Sequence, residues 1–510
     1  MIDPEPFLLA ERTRDAIGDL VAAVTVAYDD LPAPVAARLP VVLTDLVGVA
    51  AAGLRTPELR ALLAAWPLAP GPNPLPGSDA RTTPETAALL TAAAACSQEL
   101  DEGNKHAAGH PAVHVVPAAL AAAQQAGRPV GGRDFLAAVA GGYEVAARFG
   151  HAVRRDPAWH THGHWGATGA AYAAARILGA TTAQVAAAVD AATGLMGVTP
   201  WSAVLAGDVT RNLWAGQAAL AGLSAAHLAR AGLAANRGGA AAAFALLGGL
   251  EPDLLLDGLD RGADGRADGR SDGRMGDGSG DVAGPRWLAA EGYLKQHAAC
   301  SYTHAAIDLV LALRAAAGEG SASGTAAGGA PPAGSAAGAG SAGGAGAPRG
   351  WDAGDVLGVR VVIHSLAAPL LQRHPANRLA AMFSLPFAVA TAAVSGAVTP
   401  ATMEPGTPAF AAAEAFSDRV HVEVSADLDR WLPARRVCEV EVALRDGRTL
   451  ALAQPDPIGD ARHFPLDDAA LVTKLDGLLG PGVGAPLRAA VDRLVDADDV
   501  VTAWAALPLG

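Results

Sequence analysis

Lysine is almost absent from this chain: three occur in 510 residues, beside more than thirty arginines. Arginine therefore carries the ordinary surface charge, and the few lysines are expected where a compact point charge matters. Cysteine is as scarce. Cys96, Cys300 and Cys438 lie far apart and form no Cys-x-x-Cys pair, which argues against an iron–sulfur cluster, a structural zinc or a disulfide framework. A reducing cytoplasm fits such a chain best. No basic run or aromatic–basic stripe is present and the net charge is −14, so nucleic acid is not an expected partner. The first residues are acidic and lack a signal-peptide core. One uncharged stretch, Leu379 to Met403, is long enough to span a bilayer. Its Ser384, Pro386, Gly396 and Pro400 read instead as a buried helical segment of a soluble protein, with no membrane partner. No Gly-x-Ser-x-Gly elbow, P-loop or His-Glu-x-x-His occurs, which argues against the commonest hydrolases, nucleotidases and zincins.

What is abundant is alanine, the best helix former, within a chain that is 51% hydrophobic. The expected fold is mainly α, and the length allows two domains. Helices are predicted at Val41–Leu54, Thr83–Gln98, Ala112–Ala126, Gly132–Phe149, Gly166–Leu178 and Thr182–Leu195, separated by Gly, Pro or polar breaks. These make residues 1–258 an all-helical domain. Residues 259–284 carry an Asp-Gly-Arg repeat, and 318–350 are almost wholly Gly, Ala, Ser and Pro; both read as low-complexity insertions. Residues 285–455 read as a smaller α+β domain. Val356–His364, Arg419–Val424 and Val437–Leu444 alternate like strands, Arg445-Asp-Gly-Arg-Thr like a hairpin turn, and Tyr302–Ala316 and Leu379–Val394 like helices. Residues 456–510 return to helix and are expected to pack back on the first domain.

Four polar segments interrupt the apolar pattern. Glu99-Leu-Asp-Glu-Gly-Asn-Lys-His-Ala-Ala-Gly-His-Pro111 places Glu99, Asp101, Lys105 and His110 at a helix junction. It reads as an acid/base imidazole with nearby carboxylates or, equally, as a solvated cap; Pro111 argues against a helix running through His110. His160-Thr-His-Gly-His-Trp-Gly166 leads into an apolar helix. Its alternating histidines suit an anion at a helix N-terminus more than a metal. Arg211 opens another apolar helix, where a cation needs a partner: a substrate carboxylate or Asp208. Lys295 precedes His304 by nine residues, the latter at the start of a helix. In a lysine-poor chain, Lys295 is expected to hold an anionic substrate.

The order of these segments resembles the MmgE/PrpD family, which includes 2-methylcitrate dehydratases, cis-aconitate decarboxylases and iminodisuccinate epimerases. The resemblance rests on six blocks: Leu100-Asp-Glu through Gly-His-Pro-Ala-Val-His-Val-Val-Pro-Ala-Ala-Leu120; Gly141-Gly-Tyr-Glu-Val-Ala-Ala-Arg148; His160 with Gly166-Ala-Thr-Gly-Ala-Ala; Thr210-Arg-Asn-Leu-Trp-Ala-Gly-Gln-Ala-Ala; Lys295, Cys300 and His304-Ala-Ala-Ile-Asp308; and Phe383-Ser-Leu-Pro-Phe-Ala-Val-Ala390. It implies a large all-helical domain, a smaller α+β lid domain, a site between them, a homodimer and no cofactor. The family's acidic residue falls near Glu99 or Asp101, its His-Pro histidine on His110, and the next histidine on His160. Its second lysine is Lys295. Arg211 stands where the family has a substrate-binding lysine, and Phe387 where a tyrosine is frequent.

The leading expectation is a cofactor-independent lyase, a dehydratase or decarboxylase of a small polycarboxylate. His110 and His160 would move protons, Glu99 or Asp101 would orient an imidazole, and Arg211 and Lys295 would hold carboxylates. Lys105, His304, Phe387 and Trp165 are further candidates for substrate contacts. Two alternatives remain. One is an epimerase, isomerase or cyclase of a less acidic metabolite, favoured by Trp165, Trp201 and Phe387; the other is a non-catalytic small-molecule-binding or scaffold protein.

Overall fold

The computed structural model describes residues 5–259, 285–318 and 351–509. Both low-complexity insertions lie outside the described residues, apart from their first positions. The helical body is built on long apolar helices: Ala33–Leu54, Pro84–Ala95, Pro111–Gln125, Gly132–Ala152, Gly166–Ile177, Thr182–Thr193 and Thr210–Arg230. Each predicted helix of this region is present, five of them within three residues at either end, whereas the one expected from Val41 begins eight residues earlier at Ala33. Their starts are chemically marked. Thr83 and Thr181 accept hydrogen bonds from Thr86 and Gln184 backbone N–H groups, and Pro84 and Pro111 occupy first-turn positions where a missing N–H costs nothing.

Small residues let these helices approach closely. A Cβ on Gly142 would lie 2.8 Å from the Gly169 carbonyl, and one on Gly169 would lie 2.2 Å from the Gly142 carbonyl. The glycines of two sequence blocks are therefore a helix-crossing contact. In the first of those blocks Glu144 is buried, accepting from Leu288 N–H at 3.0 Å, Ala289 N–H at 2.8 Å and Arg148 Nε at 2.6 Å. Arg148 donates in turn to the carbonyls of Leu255, Asp257 and Arg286. The pair fastens the chain on either side of residues 260–284.

The α+β part contains a four-stranded sheet. Its strands are β1 (Val356–Ile363), β2 (Val420–Val424), β3 (Cys438–Leu444) and β4 (Thr449–Gln454), in spatial order β2-β1-β3-β4. β1 is parallel to β2 and antiparallel to β3, and the β3–β4 hairpin turns at Gly447. The helix expected over Leu379–Val394 is two helices, Arg378–Met382 and Leu385–Ser395. Ser384 breaks it by capping the second helix, accepting from Phe387 N–H at 3.1 Å, with Pro386 in the first turn. The remaining helix is shorter than a bilayer crossing. A different helix, Ala33–Leu54, is long and apolar enough for one, and 72% of its apolar window is buried inside the fold.

The C-terminal helices Asp468–Leu479 and Gly484–Asp492 lie against Ala33–Leu54. Lys474 reaches the Asp45 carboxylate and donates to the Leu100 carbonyl at 2.7 Å. This fastens the end of the chain to the segment that carries the acidic residues.

Candidate active site

The segment between the Pro84–Ala95 and Pro111–Gln125 helices is held in an unusual conformation. Glu99 has φ 53° and Ala108 φ 50°, a left-handed geometry costing about 1–3 kcal/mol for a residue with a Cβ. Burial and charge pairing offset that cost at Glu99. Its carboxylate is 1% exposed, accepts from Lys295 Nζ at 2.7 Å and pairs through the other oxygen with Arg211. Lys295 Nζ also lies 3.7 Å from Asp101 Oδ1. Glu99 therefore bridges the two cations expected to meet a substrate, and Asp208 instead accepts from the Thr210 backbone N–H where that helix starts.

Asp101 is fully buried, and its Oδ2 lies 3.0 Å from His110 Nδ1. Burial alone would raise its pKa, but His110 and Lys295 together hold it below the usual carboxylate range. His110 Nδ1 also lies 2.6 Å from the Glu102 carbonyl. A carbonyl only accepts, so Nδ1 carries the proton and Nε2 is the basic position. His110 stands immediately before the helix that begins at Pro111. Glu102 caps that helix by accepting from Ala112 N–H at 2.7 Å and takes a 2.8 Å bond from the Tyr143 hydroxyl. Burial pushes the Glu102 carboxyl up to about 8.

The histidine run at 160–164 forms a turn. Gly163 has φ 88°, which sends His164 Nε2 to Thr199 Oγ1, 2.5 Å away. His160 and His162 stay together, ring centroids 4.7 Å apart, and His162 is 4.9 Å from His110. His160 Nδ1 accepts from the His162 backbone N–H at 3.1 Å. Burial, then the Arg211 charge, hold His160 well below its usual pKa. It is thus a neutral imidazole with its proton on Nε2. Trp201, Trp214 and Phe383 wall it at 4.7, 6.0 and 6.1 Å, and the Arg211 guanidinium lies 5.2 Å from the Phe383 ring centroid.

Tyr293 and Lys295 arrive from the α+β side. Gly103–Asn104 pairs antiparallel with Gly292–Tyr293. A Cβ on Gly103 would sit 2.3 Å from the Tyr293 ring, so only glycine lets that ring cross the loop; its centroid is 6.4 Å from that of His110. Glu99, Asp101, His110, His160, Arg211 and Lys295 thus form one buried cluster between the helical body and the α+β part. His110 and His160 are 7% and 5% exposed.

Four other candidates have different partners. Lys105 pairs with Asp460 at 3.0 Å, both buried, and joins the helical body to the chain after the sheet. Trp165 packs on His114 at 5.7 Å. His304 Nε2 lies 3.1 Å from the Ala299 carbonyl. Phe387 is a correction: it is fully buried against Phe410, centroids 4.6 Å apart. The Ser384 break turns Phe383 toward Arg211 in its place. Sequence reasoning missed His162, Tyr293 and Phe383. Tyr293 had a weak signal two residues before Lys295.

Two groups among the described residues have metal-ligand spacing: Asp101–His110–His162 and Asp456–Asp460–His463. Each has a lysine ammonium on one of its carboxylates, which opposes a cation there. Burial pushes Cys96 up to about 12 and Cys300 to about 11, so neither is a ready thiolate nucleophile.

A helical body, an α+β part and a buried carboxylate–imidazole–cation cluster between them define an acid/base site. The chain belongs to the MmgE/PrpD family: the MmgE/PrpD N-terminal domain matches residues 17–247 and the MmgE/PrpD C-terminal domain residues 342–497. It is also similar to a cis-aconitate decarboxylase of Aspergillus terreus, and to one from its strain NIH 2624 / FGSC A1156. Each match is 29% identical over 170 residues, 31% of this chain and 34% of the relative. The chain thus spans about a third of the length of the curated relatives it matches.

Proposed function

We propose that this protein is a lyase that dehydrates or decarboxylates a small polycarboxylate by proton transfer through His110. The observation that carries this reading is the hold on His110 Nδ1 by Asp101 and the Glu102 carbonyl, which leaves Nε2 to accept or deliver a proton. In dehydration, Nε2 takes the proton from the carbon beside a carboxylate and returns it to the hydroxyl on the next carbon, whose carbon–oxygen bond breaks as it leaves as water. In decarboxylation, the carbon–carbon bond breaks, carbon dioxide leaves, and the electron pair left on carbon takes a proton from Nε2–H. His160, neutral and protonated on Nε2, serves as a hydrogen-bond donor to the developing enolate oxygen, and Lys295 and Arg211 add positive potential. Glu99 holds that charged pair in place.

A second reading, epimerisation or cyclisation of a less acidic metabolite, draws on the aromatic wall of Trp201, Trp214 and Phe383 around His160. Proton NMR in deuterated water, with citrate, 2-methylcitrate, cis-aconitate and iminodisuccinate supplied separately, separates the readings. Loss of water or carbon dioxide supports the lyase. Deuterium exchange at carbon without either loss supports the isomerase, and silence on all four acids contradicts the proposed substrate class. The cytoplasm and a homodimer belong to the same proposal. Three buried free cysteines fit a reducing compartment, and light scattering measures the dimer.

A further inference from the structure

The cations nearest the imidazoles already have a carboxylate: Arg211 and Lys295 share Glu99. Another buried guanidinium makes no ion pair among the described residues. Arg436 lies just before β3 and is 3% exposed, and the neighbouring buried Asp456 carboxylate accepts from its backbone N–H at 3.0 Å, not from its side chain. Its NH1 donates to Ser301 Oγ at 3.0 Å, whereas Nε and NH2 are buried without a hydrogen-bond partner. The guanidinium lies between two phenol rings, 5.0 Å from the Tyr293 centroid and 5.2 Å from that of Tyr302. Tyr293 is the residue that faces His110. His364, 1% exposed with Nδ1 also lacking a partner, packs edge-on to Tyr302 at 5.9 Å.

A desolvated guanidinium with three of its five N–H donors unused is unfavourable unless an anion joins it. Its planar fork matches a carboxylate through two parallel N–H bonds. We infer that Arg436, with Ser301 and the Tyr293 and Tyr302 rings, is a carboxylate-binding subsite contributed by the α+β part, taking a substrate carboxylate away from the carbon that exchanges its proton at His110. It rests on the proposed polycarboxylate reading and adds to it the residue that selects for an additional carboxylate. The site then divides its tasks. The cation pair on Glu99 tunes the reaction centre, and Arg436 supplies a guanidinium with free donors that recruits the anion.

The test uses the full-length protein and tricarballylate, a saturated tricarboxylate with no hydroxyl to lose and no double bond beside its carboxylates. Its affinity is measured by calorimetry and its effect on Tm by thermal unfolding. Arg436→Met is expected to weaken tricarballylate about tenfold or more, with Arg436→Lys intermediate, while the Tm of the free protein stays equal or rises. A free-protein Tm that falls while tricarballylate affinity is unchanged would make Arg436 a packing residue and overturn the subsite, as would no saturable binding to the wild type. His110→Ala separates the two claims, because it should retain tricarballylate affinity while abolishing turnover. Arg436-dependent binding without turnover of any acid would keep the subsite and remove the lyase reading. Turnover with affinity indifferent to Arg436 would do the reverse.

Discussion

Asp101 stands behind His110, its Oδ2 3.0 Å from Nδ1, with the carboxylate fully buried. The arrangement fixes the ring and its tautomer without touching the reacting atoms. Asp101→Asn should therefore lower kcat about 10- to 100-fold, with KM changed far less. A kcat at the wild-type level would remove Asp101 from this positioning role.

Glu99 is the single carboxylate between Arg211 and Lys295. Glu99→Gln leaves two buried cations without their main partner, and urea unfolding should show a loss of about 3–5 kcal/mol. Combining it with Lys295→Met removes one orphaned charge and should recover part of that loss. A loss below about 1 kcal/mol, the value for an exposed pair, would mean the cluster is hydrated.

Glu102 makes stability depend on pH in a recognisable direction. Its folded-state pKa is raised to about 8 from an ordinary 4.5. Its contribution is full below about 4.5 and is lost as pH rises through 8. Glu102→Gln mimics the neutral acid. The variant and wild type should have similar Tm near pH 4.5, and the variant should become the more stable as pH approaches 8. A Tm difference that does not change with pH would show Glu102 to be ionised throughout.

His160 is held neutral by burial and by Arg211, so it should donate a hydrogen bond rather than titrate. His160→Gln keeps a donor and should retain more activity than His160→Phe, with the acid limb of the pH–rate profile unmoved. A shift of that limb in His160→Gln would make His160 a titrating acid or base.

Much of the scaffold was legible because alanine-rich helices bounded by Gly and Pro announce themselves locally, as did β1 to β3 by alternation. The Leu379–Val394 segment was misread because an apolar run hides a break made by one serine cap and one proline. Phe387 was expected at the site from the family resemblance, but it is Phe383, four residues earlier and before the break at Ser384, that lies against Arg211. The scarcity of lysine pointed correctly to special positions but not to one function. Lys105 and Lys295 are buried and Lys474 is half-buried, all three paired, with Asp460, Glu99 and Asp45, and Lys295 alone joins the imidazole cluster. Arg436 could not be found at all. Nothing local distinguishes a solvated arginine from one that tertiary packing strips of water and leaves without a carboxylate.

The most direct measurement is the fate of solvent deuterium at carbon when the wild type and His110→Ala are each given cis-aconitate in deuterated water, with circular dichroism confirming that both are folded. The wild type should release carbon dioxide and place one deuterium at the carbon that takes up the proton, or add water reversibly with exchange, while His110→Ala falls by about 10²- to 10⁴-fold. A folded His110→Ala protein that turns over at the wild-type rate would contradict the assignment of proton transfer to His110.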